Sequence, residues 1–178
     1  FDRQRTFTWS ANLGNALAIG NVPDDLDVTS FEGTYRINGE FFATKFDEGQ
    51  VPLTMPMLGT TEVWSMKNTS GQSDPSLPAQ INIPLLEWHP FHIHQNDFVV
   101  LEINGIPVSD LKSAYLDGVL SDTIGLPPTY DPSQPPTVNN PYGTPKVDGE
   151  TSEVKVVMEF EDFPGSYVNH CHILFHED

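Results

Sequence analysis

Apolar and polar positions alternate along several short stretches of the chain. The clearest is 154–160, where Val154, Val156, Met158 and Phe160 share one parity and Lys155, Val157 and Glu159 the other. A period of two over that length predicts a half-buried strand, because successive side chains on a strand point to opposite faces. Arg5, Phe7 and Trp9 alternate in the same way with Gln4, Thr6 and Thr8, and Trp64 and Met66 alternate with Ser65 and Lys67 within 60–67. The run 97–103 is more continuously apolar and ends at Asn104-Gly105, a pair suited to the tight turn of a hairpin. Only 109–117 reads as a helix, of about two turns. Many short strands separated by turn signals predict an all-β sandwich or barrel.

Two stretches resist regular structure. Residues 69–80 are polar with two prolines, and residues 125–150 hold seven of the sixteen prolines with several Asn and Gly. The second should form a long Pro-rich surface excursion, either a structureless insertion or a loop that shapes the approach to a site. A length of 178 residues is enough for one domain with a substantial core. Phe1 stands where an initiator Met would be expected, and no apolar run is long enough for a membrane span or a signal peptide, so a processed chain or an excised piece is expected. The net charge of −17, from 25 acids against 8 bases, repels phosphate backbones and argues against a nucleic-acid partner. Asn68-Thr69-Ser70 has the form of a glycosylation acceptor.

The six histidines and the one cysteine are not scattered. His89, His92 and His94 lie in WHPFHIH, and His170, Cys171, His172 and His176 in NHCHILFHE. A lone His is ordinarily a satisfied polar residue, but six in two tight groups with a thiol between them point to metal. Strand parity divides them. His170 and His172 share one face and Cys171 takes the other; His92 and His94 share a face, and His89 has opposite parity, with Pro90 making that step less regular. The simplest assembly sets Cys171, His89 and His176 around one metal, and His92, His94, His170 and His172 toward a second centre. One thiolate with two imidazoles suits copper better than zinc, which wants a fourth strong ligand.

The elements HPFHIH at 89–94 and HCHILFH at 170–176 resemble the HPxHxH and HCHxxxH elements of the multicopper oxidases. Softer resemblances follow in order: Ile37-Asn38-Gly39, Glu62-Val63-Trp64 leading to Asn68-Thr69, and Asp122-Thr123. They cover roughly residues 35–178. The resemblance implies a cupredoxin-like Greek-key β-sandwich, with residues 1–178 as a single C-terminal copper domain of a larger enzyme whose N-terminal cupredoxin domains are not in this chain. By that resemblance His89, Cys171 and His176 hold a type 1 copper, His92 a type 2 copper, and His94, His170 and His172 a type 3 pair. Glu177 resembles a family acid that relays protons to reduced oxygen, with a surface carboxylate as the plain alternative. The family normally has a Met or Leu five positions after the last His, beyond Asp178, and two His-x-His elements from another domain to complete the oxygen-reducing cluster.

The implied activity is a laccase-like oxidation of phenolic, other organic or metal-ion donors, coupled to reduction of O₂ to water. The implied localisation is secreted, periplasmic or cell-surface. Glu87, two residues before His89, could take up a donor's proton or could be plain surface charge. Met55, Met57, Met66 and Met158 do not form a Met-rich tract, and Trp64 with Met66 reads as core. The competing expectation is a stand-alone blue-copper electron-transfer module, which leaves four histidines without a purpose.

Overall fold

The computed structural model describes residues 1–12, 35–38, 55–113, 115–165 and 167–172. Alternation builds the larger sheet. The strands β1 (Arg3–Ala11), β3 (Thr60–Asn68) and β9 (Ser152–Phe160) are each nine residues long. They turn Phe7 and Trp9, then Trp64 and Met66, then Val154, Val156, Met158 and Phe160 into the core. Around them lie β2 (Tyr35–Ile37), β5 (Phe98–Ile103), β6 (Ile106–Pro107) and β7 (Leu120–Ser121), in the order β2-β1-β3-β9-β5-β6, with β7 also paired to β5. Within this sheet β1 and β3 run parallel, and the other pairs antiparallel.

The second sheet has three strands, β4 (His89–Ile93), β8 (Thr123–Leu126) and β10 (Asn169–Cys171), in the order β10-β4-β8. Its inward positions, Phe91, Ile93, Ile124 and Leu126, join the same core as the larger sheet. Phe91 is the aromatic bridge between layers, with ring centroids 5.8 Å from Trp9, 6.4 Å from Trp64 and 5.8 Å from Phe98. Burial of these apolar faces is the main stabilising contribution, at about 25 cal/mol per Å² removed from water. The molecule is thus the all-β sandwich expected from the alternation, with the Greek-key arrangement that the resemblance implied.

The hairpin predicted at 104–105 joins β5 to β6, with Asn104 at φ 49° and Gly105 at φ 77°, the positive pair that a type I′ turn needs. The helix expected over 109–117 is shorter and earlier. It is a single turn, α1 (Val108–Leu111), closed by Lys112 in the left-handed region. Val108 is its one fully buried side chain and Leu111 is only partly buried against the core, too little apolar burial to hold a longer helix there.

Residues 127–150 follow the surface, as expected, but are tied down throughout. Tyr130 bridges to both Pro145 and Glu150, Thr129 N–H donates to the Ser70 carbonyl at 3.0 Å, and Asp148 N–H donates to the Gly71 carbonyl at 2.8 Å. The two proline-bearing stretches therefore hold each other. Among the described residues no helix is long and apolar enough to cross a membrane.

Candidate metal centres

The antiparallel register of β10 on β4 sets His170 opposite His92 and Cys171 opposite Phe91. Phe91 points inward, so Cys171 does too, and His89, two residues along β4, shares that side. Both are buried. Cys171 Sγ lies 3.6 Å from His89 Nδ1, and His89 Nε2 lies 2.7 Å from the Ser70 hydroxyl oxygen.

The alternate positions form the second cluster on the opposite face of the same two strands. Ring centroids separate His92 from His94 by 5.0 Å, from His170 by 5.3 Å and from His172 by 5.2 Å; His170 and His172 stand 5.5 Å apart. Ligand nitrogens of His92, His94 and His170 all fall within 4.8 Å of one another. Backbone bonds continue past the strand ends: His94 N–H donates to the Val168 carbonyl at 3.0 Å, and His172 N–H to the Pro90 carbonyl at 2.7 Å. Pro90 lacks an N–H, yet as the second residue of β4 it still contributes this carbonyl.

Hydrogen bonds orient the rings. His170 Nδ1 lies 3.1 Å from the carbonyl oxygen of Cys171. A carbonyl only accepts, so Nδ1–H donates there and Nε2 keeps its lone pair. That Nε2 faces His94 Nε2 at 3.3 Å, a separation that two imidazole nitrogens hold only with a proton or a cation between them. His92 Nδ1 lies 2.9 Å from Thr123 Oγ1 and 3.1 Å from the Asp122 carbonyl, which leaves its Nε2 toward the cluster.

The donor set and its spacing fit metal. With metal–sulfur near 2.3 Å, metal–nitrogen near 2.0 Å and bond angles of about 110–120°, a shared ion sets S···N at roughly 3.6 Å and N···N at roughly 3.4 Å. The sulfur–imidazole edge at 3.6 Å and the imidazole pair at 3.3 Å have these lengths. Cys171 and His89 could hold one ion, and the four outward histidines could contribute to another centre. His176 and Glu177 lie outside the described residues.

Glu87 is half-buried, and its backbone carbonyl accepts from Asn68 Nδ2 at 2.9 Å. Trp88 beside it is partly exposed and packs edge-on against Tyr142 at 5.0 Å, so the proline-rich excursion contacts the residue that precedes His89. Asn68 opens the triplet that has the form of a glycosylation acceptor. It is fully buried, and its Nδ2 also donates to the Leu126 carbonyl at 3.0 Å, so it is no glycan acceptor. Sequence reasoning also passed over Ser70, read only as the third residue of that triplet. Its nearness to His89 has no local signal, since the two are 19 positions apart and meet only through tertiary packing.

A two-sheet cupredoxin-like sandwich carrying a cysteine-bearing site and a histidine cluster on opposite faces of shared strands defines a class of copper protein. The family model described as multicopper oxidase matches residues 20–178, and the chain belongs to that family. It is 32% identical over 148 residues to a laccase of Haloferax volcanii, covering 82% of this chain and 17% of that protein. It is 30% identical over 124 residues to a laccase of Bacillus subtilis, covering 69% of this chain and 19% of that protein. The fold is similar to that of a multicopper oxidase from Campylobacter jejuni described as a metallo-oxidase, with a TM-score of 0.57 at 18% identity, over 98% of this chain and 27% of the other. The chain thus spans about a fifth of the length of the two laccases.

Proposed function

We propose that this chain is the copper-bearing C-terminal domain of a laccase-like oxidase. In this reading His89, Cys171 and His176 hold the type 1 copper, His92 the type 2 copper, and His94, His170 and His172 half of the type 3 pair's ligands. N-terminal cupredoxin domains of the same enzyme supply the remaining ligands. Bound copper supplies one-electron redox chemistry, so that four one-electron oxidations of a phenolic, other organic or metal-ion donor balance the four-electron, four-proton reduction of O₂ to two waters. The observation that carries the reading is the pairing of a 3.6 Å thiolate–imidazole edge with an outward histidine cluster on the other face of the same strands.

The chain's own residues then have distinct roles. Peptide bonds join Cys171 directly to His170 and His172, giving the two centres a short covalent connection. Burial of His89 and Cys171 keeps water from the thiolate. The partly exposed Trp88 and Tyr142 offer an aromatic surface to a donor beside His89, and Glu87 accepts the proton a phenol releases. Glu177 delivers protons toward reduced oxygen. The family's laccase relatives favour a secreted, periplasmic or cell-surface setting.

The test is copper loading of the intact protein, followed by visible absorption and oxygen uptake. Cys171→Ser and His89→Ala should abolish the intense visible band. His92→Ala should keep the band and lose at least 100-fold in oxygen uptake. Bleaching by His92→Ala would overturn the partition of ligands. A strong band with no oxygen uptake in the wild-type protein would favour an electron-transfer module instead.

A further inference from the structure

Ser70 is fully buried and sits against a proposed copper ligand without being a ligand itself. Its Oγ is 2.7 Å from His89 Nε2, on the side of the ring away from Cys171. The residue is fixed from three directions. Its N–H donates to Asn68 Oδ1 at 2.8 Å, and its carbonyl accepts from the Thr129 N–H at 3.0 Å and the Thr129 hydroxyl at 3.1 Å. Asn68 in turn donates to the carbonyls of Glu87 and Leu126, which belong to the chain entering β4 and the end of β8. Gly71 follows with φ +104°, and a Cβ there would come within 2.2 Å of Thr129 Oγ1. The turn after β3 is therefore clamped to the small sheet, and the clamp delivers one hydroxyl to one imidazole.

We propose that Ser70 is a positioning residue that selects the tautomer of His89. A neutral imidazole has one N–H and one lone pair, and the partner of one nitrogen decides what the other offers. With Ser70 Oγ accepting from Nε2–H, the lone pair is on Nδ1, the nitrogen 3.6 Å from the Cys171 sulfur. With the proton on Nδ1 the ring cannot bind a metal beside that thiolate. In a site sealed from water, where His89 is 1% exposed, no solvent molecule replaces the hydroxyl. Ser70 thereby holds the ring's angle and its protonated edge before copper arrives.

This inference rests on the copper reading above. It is tested on the intact, copper-loaded protein with Ser70→Ala, Ser70→Thr and Thr129→Val. Competition with a chelator should show Ser70→Ala binding copper at the coloured site about 10- to 100-fold more weakly. Its visible band should shift or broaden while the histidine-only centre keeps its copper. Ser70→Thr retains the hydroxyl and should stay nearer to wild type. Thr129→Val loosens the clamp but keeps the hydroxyl, and should leave the band in place. An unchanged band and affinity in Ser70→Ala, or equal losses in Ser70→Ala and Thr129→Val, would overturn the assignment. Nitrogen-15 NMR of the wild-type protein before copper is loaded needs no variant: His89 protonated on Nε2 supports the proposal, and protonated on Nδ1 it fails. A wild-type protein without any coloured copper site would instead remove the copper reading itself.

Discussion

Glu62 is a carboxylate inside a strand, only 2% exposed, in a chain that already carries an excess of acids. Burial alone would raise its pKa. Arg5 Nε and Nη2 at 2.5 and 2.8 Å and Trp64 Nε1 at 2.9 Å, with the charges of Arg5 and Arg3, outweigh burial and hold the carboxyl below its ordinary value. A depressed folded-state pKa contributes stability that is present above the ordinary carboxylate range and is lost as pH falls through the lowered value. Arg5→Ala leaves the buried charge without its main partner and should destabilise by about 3–5 kcal/mol at neutral pH. The loss should shrink in acid, once Glu62 is protonated in both states. Urea unfolding of both proteins at neutral and at strongly acidic pH checks the direction.

At the scale of elements, β4 and β10 divide the ligands because a strand offers two faces. That much was legible in HPFHIH and HCHILFH, since the period of two is a local property of extended backbone. The short helix was less legible. Residues 109–117 have acceptable propensities, but in α1 only Val108 is fully buried and Leu111 partly so, and a helix this short depends on burial. The glycines separate local from tertiary demand. Gly105, at φ +77° in the β5–β6 turn, has open space where a Cβ would stand, so Gly105→Ala should cost about 1–2 kcal/mol from backbone strain alone. Gly71 adds collisions with Thr129 Oγ1 at 2.2 Å and Leu86 Cδ2 at 2.7 Å to its positive φ. Gly71→Ala should cost about 2–5 kcal/mol, and thermal unfolding of the two variants should separate them clearly.

For the molecule as a whole, the proposed copper ligands come from two segments far apart in the chain and adjacent in the small sheet. A metal held by both acts as a clip that the unfolded chain cannot reproduce. Copper removal should therefore lower the melting temperature, and free copper at about 100 times its dissociation constant should restore roughly 2.7 kcal/mol, measurable by calorimetry with and without chelator. Cys171→Ser should lose most of the part of that increment that belongs to the cysteine-bearing site.

The sequence by itself determined the all-β class, the strands of the core and the separation of Cys171 and His89 from His92, His94, His170 and His172. Each follows from side-chain alternation, which needs only neighbouring residues. Tertiary structure decided that β10 lies on β4 with His170 opposite His92, that Ser70 meets His89, and that Tyr142 reaches Trp88. Those pairings join distant segments, and what selects them is the shared burial of Phe91, Trp9 and Trp64 together with the backbone bonds that close the sheets. Local periodicity says which way a side chain faces; only the packed core says what it faces.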